Sequence, residues 1–119
     1  MSDFVSYSRI ENELAPGLRN SLNHAESVGD VKNFFNYTVR ELLERTLGDD
    51  IGLEYEDITL ASDGETFTVS ERLRSHSAFA NATQSSDLNA ILGRFALAAQ
   101  HRLRHLEGHP ERTNAKIRG

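Results

Sequence analysis

A single dipeptide does most to limit what this chain can fold into. Asp63-Gly64 stands between two short alternating runs, Ile58-Thr59-Leu60 and Phe67-Thr68-Val69. Asp and Gly both tolerate the positive φ of a two-residue type I′ turn, so the segment reads as an antiparallel hairpin. With that turn, the numbers of facing residues sum to 127. Leu60 then faces Phe67 and Ile58 faces Val69 on the buried side, while Thr59 faces Thr68 on the other. The same register would set Glu56 against Glu71, so the pairing is expected to bulge or stop near Asp57. A lone hairpin is marginal in water and must lie on helices or gain a strand, from residues 51–55 or from a second subunit.

The rest of the chain carries helical spacing. Phe4, Tyr7, Ile10 and Leu14 predict a first helix over residues 3–14, ended by Pro16. Pro16 suits the first turn of a short second helix, with Leu18, Leu22 and Ala25 as its stripe, ending near Glu26. A third helix is expected over residues 30–47, capped by Asp30 or Ser27 and stopped at Gly48. Its core face is Val31, Phe34, Phe35, Thr38, Val39, Leu42, Leu43 and Thr46, with Arg40/Glu44 and Glu41/Arg45 pairs elsewhere on its surface. Residues 75–86 hold no period and read as irregular, with Phe79 as their anchor. Ser85 or Ser86 then caps a long last helix, whose face is Leu88, Ile91, Leu92, Phe95, Ala99, Leu103 and Leu106. Gly108 and Pro110 are expected to end it near Glu107. The expected fold is therefore α+β: three N-terminal helices, a hairpin around Asp63-Gly64 and a long C-terminal helix, packed as one domain over residues 1–109, with a flexible basic tail at 110–119.

Composition narrows the function classes. The 119 residues include no cysteine, which removes disulfides, thiolate metal sites and cysteine nucleophiles. No basic stretch followed by an apolar one opens the chain, and its longest apolar run, residues 95–99, is far below the ~20 residues that cross a bilayer. A cytoplasmic location without a membrane partner is the expectation. The net charge of −5 hides an asymmetry: residues 1–93 carry seven basic and sixteen acidic side chains (−9), and residues 94–119 carry six basic and two acidic (+4). Arg94, Arg102, Arg104, Arg112, Lys116 and Arg118 could contact phosphates, but the acidic body repels a polyanion, so nucleic-acid binding is the weakest alternative.

Two constellations carry chemistry. His101 and His105, four apart on a helix, could share a metal, with Glu107, His109, His24 or His76 completing the set. The zincin pattern is absent, and Arg102 and Arg104 oppose a cation, so a solvated helix surface is the stronger reading. Residues 49–57 hold five carboxylates, without the order of an EF-hand loop, and read as a solubilising strand edge. No nucleophile elbow, Walker loop or dinucleotide fingerprint occurs, and no cofactor is implied. More telling are apolar and small residues off the core stripe: Leu97, Ala90 and Gly93 on the last helix, and Tyr37 on the third. They suggest a non-catalytic interaction or binding module that forms a homodimer through this helix. A small metal-dependent enzyme or metal-binding protein using His101 and His105 is the alternative.

Overall fold

The computed structural model describes residues 5–48, 51–61 and 67–118, with side chains as far as Glu107. The chain forms α1 (Ser8–His24), α2 (Val28–Leu47), β1 (Ile58–Leu60), β2 (Phe67–Val69), α3 (Glu71–Arg74), α4 (Ser77–Ser85) and α5 (Leu88–Arg118), with a 3-10 turn at Tyr55–Asp57 before β1. It is a mostly helical α+β fold. α1, α2 and α5 each pack on the other two, and the two-stranded sheet lies against α2 and α5.

Two helices precede the hairpin where three were expected. Pro16 lies inside α1, which runs unbroken through it. An interior proline costs about 3 kcal/mol by removing a hydrogen bond and crowding the preceding turn. Here the apolar side chains on both sides of it share one core: Ile10 and Leu14 pack against the cluster from before Pro16, and Leu18 and Leu22 are buried in it beyond. Tertiary packing thus offsets the local penalty. The helix also starts five residues later than expected, because residues 5–7 are held against the junction of α4 and α5. The Val5 amide donates to the Ser85 carbonyl at 2.9 Å, and the Asp87 carboxylate accepts from the Tyr7 amide at 2.8 Å.

α2 begins two residues before the expected position. Ser27 is its cap: the hydroxyl accepts from the Asp30 amide at 3.1 Å, and the Asp30 carboxylate reaches back to the Glu26 amide at 3.1 Å. Gly48 ends it with a φ of 97°, which a side chain would resist. The expected pair of Arg45 and Glu41 closes at 3.0 Å, and Arg45 also reaches Glu13 on α1 at 2.6 Å.

The hairpin register is the one read from the sequence, Ile58 opposite Val69, Thr59 opposite Thr68 and Leu60 opposite Phe67. Asp63-Gly64 itself lies outside the described residues. The two threonine hydroxyls meet at 2.9 Å on the outer face. One more backbone bond, from the Ser70 amide to the Asp57 carbonyl at 2.8 Å, closes the ladder one pair short of where the glutamates would have met. Glu71 instead opens α3.

Most of the segment read as irregular is helical, from Ser77 to Ser85. His76 caps α4, its Nδ1 accepting from the Ala78 amide at 3.3 Å, and α4 buries Phe79 and Ala82. Alanine-rich sequence needs few large side chains to hold a short helix once one face is covered. α5 starts at Leu88 behind the Ser86 hydroxyl, which accepts from the Leu88 amide at 3.1 Å. It passes the expected stop and reaches Arg118, with Pro110 inside it. Its first half is the centre of the molecule, burying Leu88, Ile91, Leu92, Phe95, Ala96, Ala99, Gln100 and Leu103. Among the described residues no helix is long and apolar enough to cross a membrane.

Candidate ligand-binding groove

The buried stripe of α5 leaves an opposite stripe for solvent. Ala90, Arg94, Leu97, His101 and His105 recur at intervals of three or four, and all five are exposed. Gly93 is half-buried beside them, and a Cβ built on it meets nothing within 4 Å. Where α1 runs beside this stripe, the two helices bound an open groove of about 800 Å³. Arg94, Leu97, Ala98, His101, Arg102 and His105 form its α5 wall, and Arg19, Leu22 and Asn23 its α1 wall.

The groove joins an apolar floor to a cationic rim. Leu22 is buried at its base, Ala98 is half-buried, and Leu97 is 55% exposed. A leucine left this open is ordinary when isolated, but here it adjoins further apolar surface. Three arginines and two histidines line the walls, and among the described residues no Asp or Glu does.

Each arginine is held differently. Arg94 donates to Glu11 on α1 through Nε at 2.6 Å and Nη2 at 2.9 Å, a bidentate pair that ties the two helices together. These hydrogen bonds raise the Arg94 pKa above its ordinary value, against a smaller opposing effect of burial. Arg102 caps the end of α1, donating from Nη2 to the Ala25 carbonyl at 2.9 Å and the Asn23 carbonyl at 3.4 Å. Its Nε is buried with no hydrogen-bond partner among the described residues. Arg19 is exposed and makes no ion pair among them. Two guanidinium groups therefore border the groove without a carboxylate partner among the described residues.

The sites expected from the sequence are partly assembled and partly dispersed. His101 and His105 share the groove wall, yet no group of three His, Asp or Glu suited to a metal occurs among the described residues. Two of the other histidines are engaged elsewhere, His76 as the α4 cap and His24 with Nδ1 2.8 Å from the Asn20 carbonyl. Ala90, Gly93 and Leu97 lie on one side of α5. Tyr37, 63% exposed, does not join them; it borders a separate depression of about 240 Å³ between α1 and α2, beside Glu13 and Glu41. Of the basic residues considered for nucleic acid, Arg94 is paired with Glu11, and the side chains of Arg112, Lys116 and Arg118 lie outside the described ones.

In the acidic run Glu54 and Glu56 are exposed, as expected of a solvated edge, and Asp57 is not. Asp49 and Asp50 lie outside the described residues, but Asp57 is 2% exposed and serves as a structural hub. Arg19, Leu22 and Asn23, the α1 wall, went unnoticed in the sequence because only the packing of α1 on α5 gives them a shared role. Compared with protein-family models, with curated proteins and with solved structures, the chain matches none of them.

Proposed function

We propose that this protein is an interaction module whose working surface is the groove between α1 and α5, and that it binds an anionic ligand with an apolar face. The observation that carries this reading is the exposed Leu97 standing among Arg19, Arg102 and His101 in a concavity that no carboxylate lines among the described residues. Apolar surface left in water favours an occupant, and unneutralised guanidinium groups select its charge. Anilinonaphthalene sulfonate, an aromatic anion, is a suitable probe. The expected result is saturable one-to-one binding to the folded chain, lost in Leu97→Glu and kept in Tyr37→Glu. Binding that ignores Leu97→Glu, or no binding at all, would count against the groove.

Self-association through the same helix face is the second reading, favoured by the stripe of Ala90, Gly93 and Leu97, over which a partner helix can approach closely. A two-fold contact centred on Leu97 would, however, bring the Arg102 side chains of both copies together, and like charges across an interface oppose it. Screening should then strengthen the dimer. Light scattering at low and at ~1 M salt separates the cases, a monomer at both concentrations removing this reading.

A further inference from the structure

We infer that the occupant of the α1–α5 groove is an acidic amphipathic helix of a partner protein, with leucine-type side chains on the Leu22, Leu97 and Ala98 floor and carboxylates on Arg19 and Arg102. The inference rests on the groove being the working surface and adds what fills it. From Arg94 to His105 the α5 wall rises ~16 Å, close to three turns of helix. Along it, Leu97 and Ala98 stand one turn before Arg102, and Arg94, already paired with Glu11, stands one turn before them. A docked helix repeats its side chains at the same interval, so an apolar residue and a carboxylate one turn apart match the wall in register.

Charge decides the sign of the partner. Arg19 and Arg102 have no carboxylate partner among the described residues; the exposed Arg19 guanidinium can donate to a carboxylate as a bidentate fork, and Arg102, whose Nη2 already caps α1, adds its charge beside it. A nucleic-acid strand would satisfy the cations but not the aliphatic floor, and the −9 carried by residues 1–93 would repel a long polyanion. A bare inorganic anion would leave Leu97 wet.

The probe is a fluorescein-labelled peptide about sixteen residues long, cross-linked to stay helical, with leucines on one face and glutamates flanking them. It is titrated into the full chain by anisotropy, beside the same peptide with glutamines for glutamates, the same peptide with serines for leucines, and an oligothymidylate of equal charge. The expected result is saturable binding weakened at least tenfold by either peptide change, and weakened similarly by Arg19→Glu or Leu97→Glu, both exposed positions outside the core. Partial recovery of Arg19→Glu binding by a peptide with one glutamate changed to lysine completes the expected set. Equal binding of the glutamine peptide, or stronger binding of the oligothymidylate, would overturn the inference. If the sulfonate dye binds in the groove and the acidic peptide does not, the helix inference fails and the groove reading stands. If neither binds, both fail.

Discussion

The Asp57 carboxylate accepts a 2.6 Å hydrogen bond from the Ser70 hydroxyl, joining the residue before β1 to the residue after β2. Its other oxygen accepts from the Glu54 amide at 2.8 Å and from the Arg72 guanidinium, while the Ser70 hydroxyl also caps α3 through the Leu73 amide at 3.1 Å. One carboxylate thus gathers the 3-10 turn, the hairpin base and the first turn of α3.

This hub makes stability depend on acid. Burial alone would push the Asp57 pKa up, but the Ser70 hydroxyl, the Glu54 amide and Arg72 together outweigh it and hold the pKa below the ordinary value. A folded pKa below the unfolded one contributes stability that is complete above the unfolded value, about 3.9, and is lost as pH falls through the folded value. Asp57→Asn should cost about 2 kcal/mol near neutral pH, measured by urea unfolding. The gap to the wild type should narrow below about pH 4. A gap independent of pH would contradict the role given to the charge.

Pro16 offers a test of the continuous α1. If the helix runs through residue 16, Pro16→Ala restores an amide donor and relieves the crowded turn, and should stabilise the protein by about 1–3 kcal/mol, less the flexibility gained by the unfolded chain. Two separate helices with Pro16 in a first turn would give no gain or a loss. Thermal and urea unfolding of the variant distinguish these outcomes.

Leu92 and Leu97 lie on the same helix and should respond differently. Leu92 is fully buried, so Leu92→Ala should cost about 3 kcal/mol through lost burial and the cavity left behind. Leu97→Ala should change stability by no more than about 0.5 kcal/mol, as expected for a surface side chain. Similar large costs at both positions would mean that Leu97 is covered in solution, which points to self-association.

Ser27→Ala removes the hydroxyl that accepts from the Asp30 amide and should cost about 1 kcal/mol by urea unfolding, with Ser27→Asp restoring most of it. A Ser27→Ala variant as stable as the wild type would place the start of α2 elsewhere.

Features set by neighbours along the chain were legible in the sequence. The hairpin register follows from turn chemistry and strict alternation, and its end at Asp57 from the repulsion that Glu56 and Glu71 would otherwise meet. The core faces of α2 and α5 follow from spacing alone. What escaped depends on distant partners. Pro16 is tolerated because Leu18 and Leu22 reach a core built largely by α2 and α5. Residues 5–7 stay out of α1 because Ser86 pairs with Val5 and Asp87, eighty positions away from Tyr7, accepts from the Tyr7 amide. Asp57 looked like one more surface acid because Ser70 and Arg72 lie across the hairpin. The groove was half visible, as Leu97, His101 and His105 on one face of α5. Its other wall, from Arg19 to Asn23, took shape only with the packing of α1.

The groove is tested most directly by residue-resolved amide chemical shifts of the nitrogen-labelled chain titrated with anilinonaphthalene sulfonate. The expected result is a contiguous set of saturating changes at Arg19, Leu22, Asn23, Leu97, Ala98 and His101, with Tyr37 and Thr59 unmoved. Changes centred on the Tyr37 depression or the sheet, or no saturating change anywhere, would contradict the assignment of the working surface to α1 and α5.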